Sequence, residues 1–167
     1  MGDKLKTTRG LGANTMDAFE LAEAKRRLLQ RRIIPVWVEF RTSIRSLIES
    51  YNRTEAGRVW NARLELAHDG RVLVVTRITE LAQGQYSLVT VSIRASVHEE
   101  RFVIEAAKEK WANRRIGSAL PERMDWTDYL FQLEGDLVTE ETWLVQKEQR
   151  RSAFQCAEFL LFDALGE

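Results

Sequence analysis

Apolar residues recur along the chain at two different periods, and the period changes where turn residues gather. Ala18, Leu21, Ala22, Leu28 and Leu29 follow helical spacing, with Glu20, Glu23, Arg27 and Gln30 on the opposite side and Glu23 four residues before Arg27. Asn14 suits the N-cap of this helix and places Asp17 in the first turn, where a carboxylate meets the positive end of the helix dipole. Pro35 lacks a backbone donor and disfavours helical geometry at Ile34, so a break or kink is expected there. A second amphipathic helix follows. Its stripe is Trp37, Phe40, Ile44, Leu47, Ile48 and Tyr51, set against Glu39, Arg45, Ser46, Glu49 and Arg53, and residues 52–57 supply end and turn signals.

From Val59 the period drops to two. Trp60, Ala62, Leu64 and Leu66 alternate with Asn61, Arg63 and Glu65 up to Asp69-Gly70, the dipeptide suited to a two-residue hairpin turn. Pairing His68 with Arg71 then sets Leu66 opposite Leu73 and Leu64 opposite Val75, so Trp60, Ala62, Leu64, Leu66, Leu73 and Val75 share a core-facing side. Arg77 falls on that side too, beside Ala62. A turn around Ala82 to Gln85 leads into a strand from Tyr86 to Val97, and a turn at His98 to Glu100 into another from Phe102 to about Lys110. Residues 111–124 hold Gly117 and Pro121 and read as a loop or crossover. Tyr129, Phe131 and Leu133 alternate with Leu130, Gln132 and Glu134 and offer a fifth strand. Val138, Thr139 and Trp143 have the spacing of a hydrophobic staple around an N-cap, which predicts a long final helix from Thr139 to about Leu165. Ten of the thirteen residues from Ala153 to Leu165 are apolar, so that part of the helix needs cover on more than one side.

This order predicts an α+β fold: an N-terminal helix pair, an antiparallel meander of four to five strands, and a long C-terminal helix packed on the sheet. Residues 1–13 read as a flexible tail and residues 14–167 as a single α+β domain. With 167 residues, 44% of them hydrophobic, and few Pro or Gly, the chain is outside the disordered and collagen-like classes. The single Cys156 cannot form an internal disulfide, and neither a signal-peptide core nor an 18-residue apolar run is seen. A cytoplasmic, membrane-free protein is expected.

The formal net charge of zero conceals a gradient. Residues 1–58 carry 12 basic and 7 acidic side chains, residues 59–120 carry 9 and 7, and residues 121–167 carry 4 and 11. Such asymmetry fits ends that meet within the chain or across a dimer, and it also marks Lys25, Arg26, Arg27, Arg31 and Arg32 as anion-binding candidates. The near-neutral pI of about 6.8 argues against nucleic acid as the partner.

Catalytic signatures are missing from the sequence: there is no GxSxG, HExxH, Walker or dinucleotide motif, and no cofactor is expected. A meander brings His68, Asp69, His98, Glu99 and Glu100 to one rim, but strands one and three are two spacings apart, about 9.6 Å, which favours solvated turn residues over a metal site. Cys156 reads as a small core hydrophobe. The leading expectation is a non-enzymatic, self-associating binding or interaction domain with an apolar pocket between sheet and helices. Its partner would be a second copy, another protein, or a small apolar or acidic ligand. Trp60, Leu64, Leu73, Val75, Arg77, Trp111, Trp126, Phe154, Phe159 and Phe162 are the candidate ligand or interface residues. A small-molecule enzyme with a cone-shaped pocket is the alternative, and nucleic-acid binding through the basic helices the third reading.

Overall fold

A computed structural model describes residues 17–53, 62–67, 70–80, 86–112 and 122–166. The expected tail, the Asn14 cap, Trp60, His68, Asp69, the turn at 82–85 and most of the 111–124 loop lie outside these residues. The described chain is an α+β structure. Helix α1 (Ala18–Arg53) precedes strands β1 (Arg63–Ala67), β2 (Val72–Glu80), β3 (Tyr86–His98), β4 (Arg101–Ala112), β5 (Glu122–Gly135), β6 (Thr142–Gln146) and β7 (Gln149–Arg151), and helix α2 (Ala153–Leu165) ends it. All seven strands form one antiparallel sheet in chain order.

Three expectations are corrected. The helix pair is one helix of 36 residues that runs through Pro35. Buried residues lie on both sides of the proline, Leu28 before it and Val36, Trp37, Phe40, Ile44 and Ile48 after it, so packing along one stripe offsets an intrinsic cost of about 3 kcal/mol. Pro35 and Arg31 are exposed, and water can satisfy the carbonyl that loses its partner. The helix begins at Asp17, whose carboxylate accepts the Glu20 N–H at 2.7 Å.

The meander has seven strands rather than four or five, and the segment expected to start the last helix is instead β6 and β7. Thr139 caps no helix. The Asp136 carboxylate accepts the Val138 N–H at 2.7 Å in an Asx turn, and Trp143, free of any staple, lies on β6 with the Arg150 guanidinium 4.1 Å from its ring centroid. Lys147 and Glu148 turn the β6–β7 hairpin with φ of 47° and 66°, a left-handed pair that normally calls for Asn-Gly. The final helix is therefore short, starting at Ala153. Ser152 caps it in a reciprocal box: its hydroxyl accepts the Gln155 N–H at 3.1 Å, and the Gln155 side chain accepts the Ser152 N–H at 2.9 Å.

The β1–β2 register is the expected one, Leu66 opposite Leu73 and Leu64 opposite Val75, and Gly70 in the turn has φ of 80°, where glycine is at ease. Its carbonyl accepts from Arg41 Nη1 at 3.3 Å, which ties the hairpin to α1. One face of the sheet carries Leu73, Val75, Val89, Val91, Ile93, Ile104, Phe131, Leu133 and Leu144, all buried against Phe40 and Ile44 of α1 and Cys156, Ala157 and Leu160 of α2. The sheet and α1 together cover most of α2, leaving Phe154 and Phe162 at 44% and 51% exposure. Among the described residues, no helix lies on the other face of the sheet.

Candidate functional site

Strand pairing arranges the helix-free face in rows. Register places Val72, Arg94, Glu105 and Leu130 side by side across β2 to β5, and Ser92, Ala107 and Asp128 in the next row. Trp126 stands in the row beyond, beside Glu109. Because Ser92 and Ala107 are small, the middle row is a floor between two taller banks. The resulting trough is about 580 Å³, within the range of ligand sites, and ends at β5 with Asp128 between Trp126 and Leu130. Those two residues are 53% and 51% exposed, although both are large and apolar.

Charged groups flank the trough. Arg94 Nε donates to Glu105 Oε1, and His98 Nε2 lies 2.7 Å from Glu105 Oε2. Burial alone would raise the Glu105 carboxyl, but the hydrogen bonds from His98 and Arg94 outweigh it and leave the group below its ordinary value. At the other bank Trp126 Nε1 donates to Asp128 Oδ1 at 2.8 Å, and the Arg123 guanidinium sits 4.8 Å from the indole centroid. Each bank is thus an indole or aliphatic body held beside a fixed carboxylate.

The residues singled out from sequence are scattered. Trp60 and His68 lie outside the described residues, and His98 is engaged with Glu105. Leu73 and Val75 are fully buried core, and Leu64 packs partly buried against it. Arg77 is also buried and donates through Nη1 to the Leu165 carbonyl, a cation at the negative end of α2. Trp111 lies on the helix-free face, donating to Glu109 at 3.2 Å, but away from the trough. Phe154 and Phe162 belong to the helix layer, where Tyr51 meets Phe162 edge-on at 5.3 Å; Phe159 contacts Tyr129 and Phe131. Between the helices and β1 the cavity lined by Ile48, Tyr51, Ala62, Leu161 and Leu165 is about 10 Å³, barely one water. The basic run is drawn partly into the structure. Lys25 pairs with Glu134 at 3.1 Å, Arg32 donates to Thr142 at 3.3 Å, Arg26 and Arg27 reach Glu23, and Arg31 is exposed.

Among the described residues no His, Cys, Asp or Glu cluster is arranged for a metal, and no helix is long and apolar enough to cross a membrane. Burial pushes the Cys156 thiol up to about 12, with Arg151 opposing weakly, so it stays protonated and a poor nucleophile. Sequence reasoning missed Val72, Ser92, Arg94, Glu105, Ala107, Asp128 and Leu130. One signal was available: alternation on β5 sets Leu130 opposite to Tyr129, Phe131 and Leu133, which leaves an apolar residue on the polar face. No protein-family model, curated protein or solved structure matches the chain.

Proposed function

We propose that the protein is a binding domain, not a catalyst, and that its site is the trough on the helix-free face of the sheet. The observation that carries this reading is the exposure of Trp126 and Leu130 as banks of a trough floored by Ser92 and Ala107. Large apolar side chains held in the open beside fixed carboxylates favour a ligand with an apolar body and a polar or cationic group, since the body gains from leaving water and the charge finds Asp128. The occupant that suits a trough open along its length is a polypeptide segment.

Titration with a neutral naphthylamine probe, followed by amide shifts, tests the site without presuming the partner. Shifts are expected at Val72, Ser92, Ala107 and Leu130, and Ala107→Phe, which fills the floor from the solvent side, should weaken probe binding about tenfold or more. Shifts confined to the helix layer around Phe154 and Phe162, unchanged by Ala107→Phe, would reject the trough as the site.

A further inference from the structure

Strand β5 is paired with β4 from Glu122 to Gln132, whereas β6 covers only Gln132 to Gly135. Below that point, among the described residues, its second side has no strand partner. The Asp136 N–H donates to the Glu141 carbonyl at 3.0 Å, which continues the β5–β6 ladder and shows that even-numbered residues of β5 bond toward β6. The β4–β5 register is regular from Asp125 to Gln132, so Trp126, Asp128 and Leu130 aim their N–H and C=O groups at the open side. Asp125 confirms this direction, because its carboxylate accepts the Trp126 N–H at 2.8 Å, as a side chain does where no neighbouring strand is present.

The space beside this edge is already shaped. A cavity of about 500 Å³ runs along it, lined by Asp128, Leu130, Gln132, Glu134, Val145 and Lys147, and it shares Asp128 and Leu130 with the trough. Lys147 of the β6–β7 turn lines its upper end, and the β4–β5 register stays regular down to Asp125. An added strand opposite Asp125 to Phe131 would have about seven residues. Self-pairing is disfavoured. A twofold register centred on the open stretch from Asp125 to Phe131 sets Asp128 against Asp128 of a second copy, like charges directly opposite on one face.

We infer that the β5 edge from Asp125 to Phe131 is a strand-addition site, occupied by an extended peptide of a partner protein with apolar residues against Trp126 and Leu130 and a basic residue opposite Asp128. The inference rests on the binding reading above and adds how the segment is held. Main-chain hydrogen bonds to Asp128 and Leu130 supply affinity, while side chains set opposite Trp126, Asp128 and Leu130, at the β5 end of the trough, supply selectivity. Asp128 uses one carboxylate oxygen on the Trp126 indole, whereas Glu134 is already paired with Lys25, so Asp128 is the carboxylate that a basic residue of the peptide would meet.

Hydrogen exchange tests this with a peptide of about seven residues that alternates threonine with valine, lysine and valine. On binding, the amides of Asp128 and Leu130 should slow about tenfold or more, while Phe131, whose N–H faces β4, keeps its rate. Leu130→Pro removes an edge-facing N–H and should abolish the effect. Should that variant fail to fold, Asp128→Lys serves instead, with loss of binding to the lysine peptide and gain for its glutamate counterpart. Trough shifts without slowing at Asp128 and Leu130 would overturn the edge inference and leave the trough reading intact. Slowing that is present without peptide and lost on dilution would assign the edge to a second copy and overturn it as well, as would no peptide binding at millimolar concentration. Slowing at the edge that persists when Ala107→Phe leaves probe binding unchanged would instead remove the trough and keep the edge.

Discussion

The two faces of the sheet are made by the same strands and obey opposite rules. On β5, Phe131 is completely buried beneath α2 while its neighbour Leu130 is 51% exposed. On β2 and β3, Arg77 and Arg94 both carry a guanidinium, yet one is buried at the end of α2 and the other pairs with Glu105 in water. In each of these pairs residue type says little about role, and the side of the pleat separates the two members. The inner face is filled to the point where the cavity beside Ala62 barely admits a water, whereas the outer face keeps a trough of about 580 Å³ and two bare apolar banks.

Paired substitutions across the pleat can break or sharpen this contrast. The largest effect is expected from Phe131→Ala, which removes a ring touching Phe40 and Phe159 and should cost about 3–5 kcal/mol in denaturant unfolding. Leu130→Ala, one residue away, should cost less than about 1 kcal/mol. Equal losses at the two positions would mean that the outer face is covered. Next come the arginines. Arg77→Met strips the buried Leu165 carbonyl of a charged donor and should cost about 2 kcal/mol, while Arg94→Met should stay within about 0.5 kcal/mol, given its exposure. The smallest effect concerns Glu105. Its carboxyl is lowered in the fold, so its contribution is present above the ordinary carboxylate range and fades as pH falls through the depressed value. Wild type should exceed Glu105→Gln by about 0.5 kcal/mol at neutral pH, with the gap closing in acid. A gap that widens on acidification would contradict the His98 and Arg94 bonds to Glu105.

Much of the inner face was legible in the sequence, and the reason is periodicity. The stripe Trp37, Phe40, Ile44 and Ile48 and the alternation around Asp69-Gly70 each tie one spacing to one packing surface, and the structure keeps both. Local punctuation was less dependable. Pro35 signals a break that tertiary packing overrides, and Val138-Thr139 signals a helix start that Asp136 converts into a turn. Lys147-Glu148 gives no turn signal, yet both residues adopt left-handed geometry because β6 and β7 have partners to meet. The candidate site was hardest to read. Ser92, Ala107 and Asp128 come from three strands and form a floor only through register, and the open half of β5 follows from β6 being short, a length no single residue announces.

Because every strand pairs with its neighbour in the chain, the sheet can assemble in the order in which a ribosome delivers it, with little loop closure to await. The lid on its inner face comes last: Cys156, Ala157, Leu160 and Leu161 belong to the final helix. Until that helix has emerged, a nascent chain holds seven strands whose oily side is only partly sheltered by α1. That interval is where a chaperone would have most to do and where premature termination would be most harmful.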